Sequence, residues 1–135
     1  MSFGYGGRAR IVLQDKDTVI YEYAPYDLNE PAYRNSDNTF DGLITISKHV
    51  LVTAEIRRKV IRMPGGKKKC VAKRIRRDID NASLIAEGKI IVENSRFCWQ
   101  LTDKDCGLIA IKLIRKILNY YQEYEKFPEM MSVHY

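Results

Sequence analysis

Between Ile56 and Arg77 eleven residues are Lys or Arg and none is Asp or Glu, so a stretch of 22 residues carries +11 in a chain whose total is +6. The other 113 residues therefore sum to −5, and the basic character of the chain belongs to one place on it. Such a stretch is excluded from any core, because each unpaired ion taken out of water costs several kcal/mol. Pro64-Gly65-Gly66 lies at its centre. Proline presets φ for the second position of a type II turn, and glycine accepts the positive φ required at the third. Residues 55–77 thus read as a basic β-ribbon, with one arm from Glu55 to Met63 and the other from Lys68 to Arg76. Ile56, Val60 and Met63 also recur at helical spacing, which makes a helix over 54–63 the competing reading. On the second arm Lys69, Val71, Lys73, Ile75 and Arg77 alternate with Cys70, Ala72, Arg74 and Arg76, so both faces carry charge. Neither face can be wholly buried, and the ribbon is expected to protrude into solvent.

The rest of the chain supplies the body from which such a ribbon projects. With 135 residues and 45% hydrophobic content, residues 1–135 read as a single domain able to bury a core without staples. Cys70, Cys98 and Cys106 are odd in number and lack a CxxC spacing, which argues against a disulfide framework and a zinc site. No stretch approaches the roughly 20 apolar residues of a membrane span, and the first residues lack a signal-peptide core. The expectation is a cytoplasmic protein with no membrane partner.

Along the chain, Ala9, Ile11 and Leu13 alternate, Asp15-Lys16-Asp17 reads as a turn, and Val19, Tyr21 and Tyr23 share a face, which predicts an N-terminal β-hairpin. Residues 24–38 are rich in Pro, Asn and Asp and read as a surface loop. Short strands are expected over 40–47, 89–93 and 96–101, with a turn at Glu87-Gly88. A long C-terminal helix is expected over about 103–127, with Thr102 and Asp105 as its cap and Pro128 as its stop. Its polar stripe, Lys112, Arg115, Lys116, Asn119, Glu123 and Lys126, leaves an apolar arc wider than half the helix. That arc is either sandwiched within the domain or shared with a second copy in a homodimer. The fold class predicted is α+β, an antiparallel sheet packed on one long C-terminal helix.

Chemistry is sparse. Phe3-Gly4-Tyr5-Gly6-Gly7-Arg8 has the glycines of a phosphate loop, but it neither follows a strand nor ends in Gly-Lys-Ser/Thr. Cys106, read in the first turn of the helix, would gain thiolate character from the exposed N–H groups there. With His49 or His134 it would make a nucleophile, whereas its plainer reading is a small apolar residue. The scattered acids Asp15, Asp17, Asp27, Glu30, Asp37 and Asp41 suit turn capping, and no pair has a spacing that demands joint catalysis. No cofactor, no metal and no enzymatic activity is expected.

The functional expectation therefore rests on the ribbon. Arg57, Arg58, Arg62, Lys67, Lys68, Lys69, Lys73, Arg74 and Arg76 are its candidate contact residues, and the partner is nucleic acid, DNA or RNA, gripped by its phosphates. The alternative is a protein-interaction module or inhibitor that binds an acidic protein surface or occupies a nucleic-acid channel. A third reading is a charged hairpin that merely keeps its own edges from pairing. Candidate stacking aromatics, Phe3, Tyr5, Tyr21, Tyr23, Tyr26 and Tyr33, all lie outside the basic segment, which favours backbone contact over base reading.

Overall fold

Alternation along the first 27 residues builds the centre of the molecule. The computed structural model describes residues 3–50, 55–75, 80–98, 101 and 106–135, with backbone alone at 50, 55–57, 59 and 73–75. Strands β1 (Tyr5–Gln14) and β2 (Thr18–Asp27) form an antiparallel hairpin. Its turn is pinned by Asp15, whose Oδ1 accepts from the N–H groups of Asp17 and Thr18, each at 2.8 Å. β3 (Gly42–Ser47) pairs with β2. β4 (Glu55–Arg62) and β5 (Lys68–Ile75) pair with each other, and helix α1 (Asn81–Ala86) follows, its Asp80 cap accepting from Ser83 N–H. β6 (Ile90–Glu93) joins β3, helix α2 (Leu108–Tyr124) comes next, and β7 (Met130–His134) pairs with β1. The result is a five-stranded antiparallel sheet in the order β6-β3-β2-β1-β7, beside a separate two-stranded sheet, β4-β5.

One face of the large sheet takes the helix. Ala9, Val19, Tyr21, Tyr23, Ile44, Ile46, Ile90 and Val133 meet Ile109, Ala110, Leu113, Ile114, Ile117 and Leu118, all of them buried. Burying each large aliphatic side chain contributes about 1.5–3 kcal/mol, so this contact is the main source of stability for the α+β fold. Glu125, in the left-handed region at φ 56°, ends α2 and donates its N–H to the Tyr121 carbonyl. Of the wide apolar arc, Ile111 and Tyr120 are half-buried and Tyr124 is 54% exposed, packed against Tyr120 with ring centroids 4.5 Å apart.

Several expectations need correction. Between Ile11 and Leu13 the register of β1 slips by one residue, a bulge at Val12 that turns Leu13 off the core face and leaves it 51% exposed. β2 continues through Asp27, because Pro25 and Asp27 keep the alternation, so the long loop spans 28–41 and holds one 3₁₀ turn, Pro31–Tyr33. The strand expected over 96–101 is not formed at Arg96, Phe97 and Cys98. There Ser95 folds a turn by accepting at Oγ from Phe97 N–H, and Leu101 makes an isolated bridge to Gly107. The helix starts at Leu108, not near 103, with Gly107 as its N-cap residue. Thr102 and Asp105, the expected cap, lie outside the described residues, as does Trp99. β7 was not anticipated: Met131 and Val133 alternate over only five residues.

Candidate functional site

The eight-residue arms of the ribbon pair residue for residue. Register sets Arg57 opposite Lys73, Arg58 opposite Ala72, Val60 opposite Cys70, Ile61 opposite Lys69 and Arg62 opposite Lys68. The tip has the expected turn. Gly66 donates its N–H to the Met63 carbonyl at 3.2 Å with Gly65 at φ 90°, the geometry a type II turn asks of its third residue. Met63 N–H in turn reaches the Lys67 carbonyl at 2.6 Å, closing the ribbon one step further back. The helical alternative for 54–63 is thereby displaced, since the turn brings Lys68–Ile75 alongside as a pairing partner.

Arg58, Arg62, Lys67, Lys68 and Lys69 are all exposed. Among the described residues none of these five has a carboxylate partner. Outside the ribbon three cations have such a partner, while others, Arg8, Lys16 and Arg115 among them, show none among the described residues. Arg10 is bound to Glu22, Arg96 Nε lies 3.3 Å from Asp41, and Lys89 Nζ lies 2.9 Å from Glu87. Like charges directly across a strand pair are destabilising, by the same few tenths to 1 kcal/mol that opposite charges contribute. Arg62 opposite Lys68 is such a pair, the one nearest the turn. An anion between the two would reverse the sign of that interaction.

Of the nine candidate residues, the structure places Arg62, Lys67, Lys68 and Lys69 beside the turn and Arg58 further back, opposite Ala72. Arg57, Lys73 and Arg74 are placed on the arms by their backbone, and Arg76 lies outside the described residues. Three further residues belong to the surface and were not singled out from sequence: Val60, Ile61 and Met63 are 62%, 42% and 41% exposed. The available signal was the interleaving itself, since aliphatic residues in an arm with no buried face have nowhere to go but the surface.

The other candidates become structural residues. Gly6 and Gly7 lie inside β1, where a Cβ would stand 2.1 Å from the Val133 carbonyl oxygen and 2.5 Å from Ile109 Cγ2 respectively. They permit close packing of strand and helix and cradle no phosphate. Cys106 precedes the helix and its N-cap residue, and burial, with Cys98 nearby, pushes its thiol up to about 11, opposite to the shift of an activated nucleophile. His49 faces Asp17 at 3.4 Å on the surface, and His134 Nδ1 shares a hydrogen bond of 2.7 Å with the Tyr26 hydroxyl. A cleft of ≈ 420 Å³ is lined by Arg8, Met130, Met131, Ser132 and His134, none of them from the ribbon. Among the described residues no three metal-ligating side chains cluster, and no helix is long and apolar enough to cross a membrane. No protein family, no curated protein and no solved structure matches this chain.

Proposed function

We propose that the chain is a non-enzymatic nucleic-acid-binding protein that grips the phosphate backbone with its basic ribbon. One observation carries this reading: five exposed cations without carboxylate partners among the described residues lie along one ribbon, two of them directly opposed beside its hydrogen-bonded turn. A hairpin charged only to stay soluble has no need of an acid-free surface, because alternating signs serve that end without self-repulsion. Phosphates supply the missing counter-charge, and each one neutralised releases condensed cations, which drives association at low salt. Arg58 and Arg62 offer planar forks to phosphate oxygens, whereas Lys67, Lys68 and Lys69 act as mobile point charges.

The test is a binding series on duplex DNA, duplex RNA and single strands across rising salt. Log affinity should fall linearly with log salt. Changing Lys67, Lys68 and Lys69 together to Glu should weaken binding to every sequence alike and flatten the slope by about 3, near one unit per lost phosphate contact. The three side chains are exposed and Lys68→Glu relieves the repulsion with Arg62, so the melting temperature of the variant should be no lower than that of the parent. Absence of binding at low salt overturns the reading. Capture of an acidic protein that persists after nuclease treatment would then point to the interaction module instead.

A further inference from the structure

The ribbon ends in an apolar point. Met63 is 41% exposed, Pro64, Gly65 and Gly66 are exposed with it, and a Cβ added at either glycine would meet nothing within 4 Å. Behind the point stand Arg62, Lys67, Lys68 and Lys69, all exposed. The tip is also closed in itself: Met63 N–H and Gly66 N–H are both donated within the turn, and Pro64 has no N–H to satisfy. An apolar projection with two of its donors already paired and none on Pro64 loses less on leaving water. The cations beside it select an anionic surface with a flat, apolar interior to enter.

Stacked base pairs between two phosphate strands have that character. We infer that Met63 and Pro64 act as a wedge that enters between adjacent base pairs of duplex DNA from the minor groove and kinks the duplex, while the flanking lysines and arginines hold the phosphates on either side. This rests on the nucleic-acid reading above and gives it a substrate class. Met and Pro are among the side chains that unstack base steps in this way, with kinks of about 20–90° toward the major groove. The arms have the necessary reach, since eight residues per strand span about 27 Å, more than the depth of the groove. An anionic membrane is the weaker fit, because the tip lacks the Trp or Tyr that anchors proteins at the headgroup level and offers little apolar area beyond two side chains.

The experiment measures energy transfer between dyes at the two ends of a short DNA duplex, alongside binding to the same duplex across a salt series. The parent chain should shorten the end-to-end distance. It should also bind a duplex with a single mismatch about tenfold or more tightly than a perfect one, because part of the unstacking cost is already met there. The double variant Met63→Ser, Pro64→Ser should keep the salt slope and lose both the bend and the mismatch preference, and Met63→Leu should retain them. Binding with a normal salt slope but no bend, or a bend unchanged in the double variant, overturns the wedge and leaves the phosphate grip standing. Failure to bind any nucleic acid overturns both. Binding to RNA or single strands without duplex DNA, or tighter binding to anionic vesicles, removes the wedge alone.

Discussion

A hydroxyl at the centre of a core is tolerable only when it is bonded, and both central tyrosines of β2 meet that condition. Tyr21 donates to the Pro128 carbonyl, and Tyr23 Oη accepts the Ser95 N–H at 3.1 Å. Burial holds both phenols well above their ordinary ionisation range. Tyr23→Phe leaves the buried Ser95 N–H without its acceptor, and should cost about 1–3 kcal/mol in a urea titration with the fold unchanged. Placing Val19, Tyr21 and Tyr23 on the inner face needed only their alternation. Ser95 and Pro128 as partners were out of reach, because they arrive from 72 and 107 residues further along the chain. The same limit hid Gly6, whose lack of a side chain answers to a carbonyl on β7 rather than to any neighbour in sequence.

Among elements, legibility followed local chemistry. The ribbon turn was readable because Pro64 and Gly65 encode their own dihedrals, and α2 because its apolar positions recur over 17 residues. β7 was unreadable because five residues hold too little pattern, and its strand character comes from the open edge of β1. As an edge strand β7 presents unpaired backbone groups, and Lys116 from α2 donates to its Ser132 carbonyl at 3.2 Å. A lysine there obstructs the addition of another strand. Lys116→Ala should change stability by less than about 0.5 kcal/mol yet promote association at high concentration. Sedimentation would show this, and a variant as dispersed as the parent would deny Lys116 that guarding role.

At the scale of the whole molecule, charge and burial divide between two bodies of residues. The core between sheet and helix holds groups that burial keeps neutral: Cys106, pushed up to about 11, and the phenols of Tyr21 and Tyr23, raised further. In the unfolded chain these groups lose protons near their ordinary values, about 8.5 for a thiol and 10 for a phenol. At alkaline pH the folded state therefore binds more protons than the unfolded one, and stability must fall as pH rises. Thermal midpoints should hold steady through neutral pH and decline from about pH 9 upward, most steeply above 10. Cys106→Ala should remove the earliest part of that decline.

None of Arg58, Val60, Ile61, Arg62, Met63, Lys67, Lys68 or Lys69 belongs to the hydrophobic cluster under α2. The exposed residues of the ribbon and those that keep the protein folded are thus different residues. A lineage carrying this chain is free to change the tip, trading Met63 or reversing the charge of Lys68, without renegotiating the sheet. Change at that surface and selection for folding can proceed almost independently.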